Sequence, residues 1–320
     1  MLKKLRITAA AAGGVAASYF AAGEIFFNLF LTSGGVEFAR RFHSKSTDGD
    51  EQNAVFETSP AVKEGDEWYE KSDKSRIEVY TREGKKRHAF MIKAAQPSHK
   101  YVITCHGYTS QPREMGFYGF EFNKRGYNVV FPCLDGHFDS ETKYISMGWH
   151  DRLTVVALAY YIAEQDPLAQ IILHGNSMGG ATVMMATGEK MPENVKCCIE
   201  DCGYTSVWDE FRVQLKEMLG IRKIPVLQAA NTVAKIHAKL DFKEASSLNQ
   251  VRKSVTPTLF IHGERDTFVP FWMLETNFNA AVCEKDKLVV PDAVHSVSSL
   301  VHPELYWGKI DEFTAKYITE

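Results

Sequence analysis

Short apolar runs alternate with helical patterns over most of the chain from about residue 76 onwards. We predict strands over 76–80, 88–93, 101–105, 127–132, 170–174 and 195–200, and two more that end before Asp266 and before His295. Helices are predicted over about 113–125, 149–164, 178–190, 271–282 and 303–318. Buried strands that alternate with helices are typical of a mostly parallel, doubly wound sheet. The pattern therefore predicts an α/β domain over residues 73–320.

Two segments depart from this alternation. Residues 204–256 carry several helical patterns, which is more than one crossover helix needs, so they predict a helical cap insertion over the candidate site. Ahead of the domain, residues 33–72 are predicted to hold a linker and a short helix. The linker is the polar stretch 42–57, and the helix covers 60–71.

The N-terminal pattern is different again. Basic residues within 3–6 precede an apolar stretch over 7–31, whose only charge is Glu24. About 20 apolar residues can span a bilayer as a helix. Residues 1–32 are therefore predicted to be a hydrophobic helix that acts as a signal anchor and crosses the membrane once. A cleaved signal peptide, with small residues at 21–23, and a cytosolic amphipathic helix packed on the domain are the alternatives. Basic residues on both sides leave the orientation open.

Composition excludes several other functions. The chain has 320 residues and a formal net charge of −3, so no strong attraction to nucleic acid is expected. It contains no Gly-x-Gly-x-x-Gly, phosphate-binding loop, His-Glu-x-x-His or Cys-x-x-Cys motif. We therefore predict neither a nucleotide cofactor nor a metal.

The candidate chemistry starts at Ser177. The run His-Gly-Asn-Ser-Met-Gly-Gly over 174–180 lies between a predicted buried strand and a predicted helix. A serine on so sharp a turn has a strained backbone and an exposed hydroxyl. A serine that merely caps the helix is the alternative, but a cap does not require the flanking Gly175 and Gly179. We predict that Ser177 is a nucleophile.

A serine hydroxyl needs a base to remove its proton. In hydrolases with this turn, the acid and then the histidine follow the serine along the chain. Asp266 and His295 each follow a predicted strand in that order, and the carboxyl ends of parallel strands meet at one edge of the sheet. We predict that His295 is the base and that Asp266 orients it. Asp201, which also ends a strand, is the rival acid.

Several motifs carry a family resemblance: His-Gly-Tyr-Thr-Ser over 106–110, the turn at Ser177, the run 200–207, and His-Gly-x-x-Asp over 262–266. From about residue 75 to the end, the chain resembles the α/β-hydrolase superfamily. Within it, the chain most resembles the membrane-anchored serine esterases and aminopeptidase-like hydrolases of Gram-positive bacteria. The loop 133–139 and the serine after His295 depart from the usual pattern.

The resemblance also implies how substrate is held. Two backbone N–H groups usually stabilise the oxyanion, and one belongs to the residue after the nucleophile, here Met178. The resemblance implies that the other is the N–H of Tyr108. We expect Tyr108 and Trp149 to contact substrate, although core packing accounts equally well for Trp149.

We therefore expect a serine hydrolase that cleaves a carboxylic ester, or a thioester or amide, through an acyl-enzyme. An aminopeptidase or acyl-peptidase and a non-catalytic binding protein of the same fold are the alternatives. Expected partners are a small acyl ester or peptide-like substrate and, through the N-terminal helix, a membrane. The expected location is a bacterial cell membrane, on a side that the sequence leaves open.

Overall fold

The computed structural model describes residues 2–43, 47–220 and 224–319. Its centre is an eight-stranded sheet. The strands are β1 (Ser75–Tyr80), β2 (Lys86–Ile92), β3 (Lys100–Cys105), β4 (Asn128–Pro132), β5 (Gln170–Asn176), β6 (Val195–Asp201), β7 (Thr258–Gly263) and β8 (Lys285–Val290). Their order across the sheet is β1-β2-β4-β3-β5-β6-β7-β8.

Only β2 runs against the other strands. β2 pairs antiparallel with both β1 and β4, and each later pair is parallel. The predicted mostly parallel α/β-hydrolase sheet is therefore confirmed. β5 lies between β3 and β6, so the turn that follows it opens at the centre of the carboxyl edge.

Helices cover both faces of the sheet, and two short 3-10 helices occupy Ser33–Gly35 and Pro112–Met115. The helices are α1 (Leu2–Phe30), α2 (Val36–His43), α3 (Thr47–Thr58), α4 (Pro60–Lys71), α5 (Gly116–Lys124), α6 (Asp151–Gln165), α7 (Met178–Thr187), α8 (Val207–Leu219), α9 (Ile224–Ala238), α10 (Ser247–Val251), α11 (Trp272–Ala280), α12 (Ser298–Val301) and α13 (Pro303–Thr314). Alternate β5 residues enter different apolar clusters, Ile171 and Leu173 on one face and Ile172 on the other. The core is thus two-sided.

Residues 204–256, the predicted cap insertion, contain α8, α9 and α10. α8 begins where the Ser206 side chain accepts a hydrogen bond from the N–H of Asp209 at 3.0 Å. It ends at Gly220, whose φ of 62° is the left-handed conformation that favours glycine. These ends fix which α8 side chains face the sheet edge.

The N-terminal helix forms, but it does not have the predicted character. In the part of the chain that the structure describes, no helix is both long enough and apolar enough to cross a membrane. The predicted transmembrane anchor is therefore not supported. Polar residues of α1, among them Ser18, Glu24 and Asn28, interrupt its apolar stretch. The expected membrane location stays a prediction.

The second half of α1 packs against α9 instead. A Cβ on Gly23 would lie 2.6 Å from the carbonyl oxygen of Ala229, so the helices approach as closely as glycine allows. Phe27 is buried, and the Glu24 carboxylate lies 2.8 Å from His237 Nε2. These contacts agree with the alternative of a helix packed on the domain.

The predicted linker over 42–57 is wrong for the residues that the structure describes there. Residues 47–58 form α3, and residues 44–46 lie outside the described residues. The sequence of α3 is mostly polar and lacks an apolar face, so local patterning gives no signal for it. Contacts with a distant loop, described below, hold the helix in place.

Candidate active site

Ser177 lies on the sharp turn between β5 and α7. Its φ of 57° and ψ of −118° are strained for a residue with a side chain. A Cβ on Gly175 would collide with the Gly179 carbonyl, and one on Gly179 with the Cys105 carbonyl. Both glycines are therefore required for the strand and helix to meet, and the turn presents the serine hydroxyl at the sheet edge.

The structure brings the three predicted catalytic side chains together. The distance between His295 Nε2 and Ser177 Oγ is 2.8 Å. On the other side of the ring, His295 Nδ1 lies 2.7 Å from Asp266 Oδ2. All three residues are buried, and they form one hydrogen-bonded line from carboxylate to hydroxyl.

Asp266 keeps its charge although it is buried. Burial alone would raise its pKa, but the nearby His295 and His262 imidazoles lower the pKa of Asp266 to about 2. The Val269 N–H donates to Asp266 Oδ1 at 2.8 Å. Burial alone would lower the pKa of His262, but the hydrogen bond of His262 to Asp266 raises the pKa of His262 to about 9. The acid is therefore an anion held by two imidazoles.

Asp201, the rival acid, has a different role. Its Oδ2 accepts hydrogen bonds from Tyr118 (3.3 Å), Tyr306 (3.1 Å) and Asn176 (3.2 Å). Its backbone carbonyl accepts the Ser177 N–H at 2.8 Å. Asp201 thus holds the turn from below, and Asp266 is the carboxylate bonded to His295.

The two residues predicted to supply the oxyanion donors, Met178 and Tyr108, line the narrow cavity together with Ser177. Met178 is the first residue of α7, so its N–H has no acceptor within the helix. Tyr108 lies in the loop after β3, where the next N–H, that of Thr109, donates to His137 Nε2 at 3.1 Å. Burial lowers the pKa of His137 to about 3, so the ring is neutral and can accept that bond. This hydrogen bond holds in place the loop that carries the Tyr108 N–H.

Two cavities meet at Ser177, Tyr108 and Phe268. The first, which we call the narrow cavity, is lined mostly by apolar side chains from α1, α2, α8 and the loops around Ser177. The second, the wide cavity, is larger and more polar, and it includes His295 in its wall. Trp149 lines neither. It is buried in the core against the Arg152 guanidinium, so its predicted substrate contact is not seen.

α3 supplies a site residue that the sequence did not indicate. Asp48 is buried, and its carboxylate accepts hydrogen bonds from the Thr267 N–H (2.7 Å), the Thr267 hydroxyl (2.6 Å) and the Phe268 N–H (3.0 Å). Glu51, one turn later, pairs with Arg265 at 3.1 Å. These contacts of α3 therefore hold in place the loop that carries Asp266.

Replacing Asp48 with alanine should lower kcat for a hydrolysed ester about tenfold or more while KM changes less, because a displaced Asp266 loop misaligns the imidazole. Asp48→Asn, which keeps one acceptor oxygen, should lie between. Steady-state kinetics on folded protein measure both values. Asp50→Ala, at an exposed position of α3, is the matched control. Equal kcat for Asp48→Ala and Asp50→Ala would contradict this role of Asp48.

One cluster in the described residues has the spacing of a metal site. The ligand atoms of Cys202, Asp266 and His295 lie within 4.8 Å of one another. However, His295 uses both ring nitrogens in the line from Asp266 to Ser177. A bound metal would have to break that line, so we assign no metal to the cluster.

Comparison with known proteins places this geometry in a family. The prolyl oligopeptidase family matches residues 121–319, well over half of the chain, including all three members of the hydrogen-bonded line. The chain belongs to the prolyl oligopeptidase family. Membership supports serine hydrolase chemistry, as the sequence predicted. A related protein of Bacillus subtilis, the uncharacterized protein YqkD, is 23% identical to this chain. The aligned region covers 66% of this chain and 70% of YqkD.

Solved structures show the same fold. The Pyrococcus furiosus esterase Pf2001 is 22% identical to this chain, with a TM-score of 0.62. The match covers 78% of this chain and 94% of the esterase. The acylaminoacyl peptidase of Pyrococcus horikoshii is 14% identical to this chain, with a TM-score of 0.57. The match covers 79% of this chain but only 43% of the peptidase. At these identities the likeness extends to the fold alone.

Proposed function

We propose that this protein is a serine hydrolase that cleaves carboxylic esters through an acyl-enzyme, with Ser177 as nucleophile, His295 as base and Asp266 as orienting acid. The observation that carries the proposal is the line of 2.8 Å and 2.7 Å contacts that joins the serine hydroxyl, the imidazole and the carboxylate. A helix-capping serine would not need that line.

In the first step, Ser177 Oγ attacks the acyl carbon as its proton passes to His295 Nε2. The imidazole becomes a cation, and the Asp266 anion stabilises it through Nδ1. The carbonyl oxygen becomes an oxyanion, to which the N–H groups of Tyr108 and Met178 would donate. One such donor is typically worth about 3 kcal/mol of the barrier.

The imidazolium then returns the proton to the leaving group. The leaving group must therefore lie on the side of Ser177 where His295 lies, and His295 lines the wide cavity but not the narrow one. This assigns the leaving group to the wide cavity and the acyl group to the narrow cavity. Water enters from the wide cavity to hydrolyse the acyl-enzyme.

An apolar acyl cavity supports ester hydrolysis, because aliphatic and aromatic acyl groups gain free energy when their surface is buried there. Family membership favours a second candidate, the hydrolysis of acylated or aminoacyl peptides. The wide cavity supports this candidate too, since it offers polar groups, including Arg40 and Asp66, to a peptide leaving group.

The test combines a covalent probe with a substrate panel. We expect a fluorophosphonate to label the wild type and not Ser177→Ala. We expect short-chain p-nitrophenyl esters to be turned over at a higher kcat/KM than aminoacyl or N-acyl-aminoacyl p-nitroanilides. Equal labelling of both proteins contradicts the nucleophile, and faster anilide turnover selects the peptidase. A wild type that neither reacts nor turns over supports the non-catalytic alternative.

A further inference from the structure

One buried polar atom in the wall of the narrow cavity has no hydrogen-bond partner among the described residues and no part in the reaction described above. Glu210, in the first turn of α8, lines this cavity and is buried. Its Oε1 accepts a hydrogen bond from Gln214 Nε2 at 2.8 Å. Its Oε2 is fully buried and has no hydrogen-bond partner among the described residues.

The other polar side chains of the cavity are already paired. The Tyr108 hydroxyl donates to the Phe30 carbonyl at 2.7 Å, and the Tyr204 hydroxyl donates to the Met147 carbonyl at 2.9 Å. Gln214 Nε2 also donates to the Phe268 carbonyl at 2.7 Å. Glu210 Oε2 is thus the one fully buried side-chain nitrogen or oxygen in this wall, within the described residues, that is left without a partner.

Burying an unpaired polar atom lowers the stability of the folded state. An unpaired buried polar group typically costs about 1–3 kcal/mol, whereas an apolar side chain of similar size would add to the packing. The first turn of a helix favours an acidic residue, but that benefit requires the charged carboxylate, which burial of Glu210 disfavours. A group supplied by the substrate would offset the cost.

The environment decides which group fits. Burial, with a smaller contribution from the nearby anions Asp266 and Asp209, raises the pKa of Glu210 to about 8 against the opposing effects of Gln214 and His262. At neutral pH the side chain is therefore a carboxylic acid. Because Oε1 accepts the hydrogen bond from Gln214, we place the proton on Oε2, which makes this unpaired atom of the cavity-lining Glu210 a hydrogen-bond donor.

We propose that Glu210 Oε2 donates a hydrogen bond to an uncharged oxygen within the acyl group, so that the preferred substrates are esters of oxygen-bearing acyl chains rather than of plain alkyl chains. This inference rests on the proposed ester hydrolysis and on the assignment of the acyl group to the narrow cavity. Glu210 is then a specificity residue, because it contacts substrate without taking part in bond cleavage.

An ammonium group is the other partner that a buried carboxyl could take. Binding one would require Glu210 to lose its proton and the ammonium to lose its water in a largely apolar cavity. An uncharged oxygen needs neither change. We therefore favour the oxygen, and an aminoacyl preference is an outcome that would contradict it.

An ether scan of the acyl chain tests the proposal at nearly constant volume. The substrates are p-nitrophenyl hexanoate and its analogues in which an oxygen replaces the third, fourth or fifth chain atom. Each kcat/KM is divided by the rate of alkaline hydrolysis of the same ester, which removes differences in intrinsic reactivity. An ether oxygen only accepts hydrogen bonds, so it reports on a donor.

For the wild type, we expect at least one ether analogue to exceed hexanoate about tenfold in this normalised kcat/KM. Glu210→Met removes the donor and should reverse the order in favour of hexanoate. Glu210→Gln retains an N–H donor and should keep part of the preference. Glu304→Met, at an exposed position on α13, is the matched control and should behave as the wild type.

Three results would overturn the inference: hexanoate preferred by the wild type over every analogue, an unchanged order in Glu210→Met, or an aminoacyl ester preferred by the wild type and lost in Glu210→Gln. Each of them requires a wild type that turns over esters. Failure of the proposed function would appear separately, as a wild type with no turnover of hexanoate or of any analogue.

Discussion

Replacing Ser177 with alanine should lower kcat for ester hydrolysis by about 10⁴-fold to 10⁶-fold, with much less change in KM. The variant keeps both cavities and the oxyanion donors, so substrate still binds, but no oxygen remains to form the acyl-enzyme. Stopped-flow measurement of p-nitrophenol release should show a burst for the wild type, if deacylation is the slower step, and none for the variant.

Ser33→Ala is the matched control for that measurement. Ser33 is exposed, and its backbone N–H donates to the Lys143 carbonyl, a bond that the substitution keeps. This variant should keep the wild-type rate. If Ser177→Ala kept more than a tenth of the wild-type kcat, a different nucleophile or a directly activated water would be responsible for the hydrolysis.

Replacing Asp266 with asparagine should lower kcat by about 10⁴-fold. An asparagine amide can present an N–H toward His295 Nδ1, which favours the tautomer that carries its proton on Nε2 and cannot accept the serine proton. His262, which also contacts Asp266 Oδ2 at 3.2 Å, would lose its charged partner as well. The folded state should persist, because the change conserves volume.

Glu264→Gln, at an exposed position in the same loop, controls for the loss of a carboxylate near the site and should change kcat little. A small effect of Asp266→Asn would return Asp201 to candidacy as the acid. The pH profile gives a second check. Since the pKa of Asp266 is lowered to about 2, its charge contributes stability above the ordinary aspartate pKa, and this is lost only as pH falls toward 2. Activity above pH 4 should therefore show no limb due to Asp266.

The sequence predicted the parts of this protein that local patterning specifies. The turn at Ser177 needs glycines at fixed positions, and Asp266 and His295 follow apolar strands whose ends meet at one sheet edge. Those constraints are visible in short stretches of sequence. The comparison with Asp201 shows the limit of the method, because strand ends alone did not distinguish the acid bonded to His295 from the acid beneath the turn.

What the sequence did not predict depends on contacts between distant segments. Asp48 looks like a solvated residue in a polar stretch, and only folding brings it to the backbone of Thr267 and Phe268. Glu210 occupies a helix that also exposes charged residues, among them Arg212 and Lys216, so its burial gave no signal in the sequence. Trp149 is a large aromatic near candidate chemistry, yet core packing against Arg152 accounts for it.

The position of α1 has a consequence for how this protein could diversify. Phe26 and Phe30 form part of the wall around the space beside Ser177, and the Phe30 carbonyl anchors the Tyr108 side chain. Substitutions confined to the N-terminal helix could therefore retune which acids are accepted, toward bulkier or smaller ones, while nucleophile, base and acid stay as they are. Related enzymes with the same central sheet and catalytic residues could differ in the acyl groups they accept because their N-terminal helices differ.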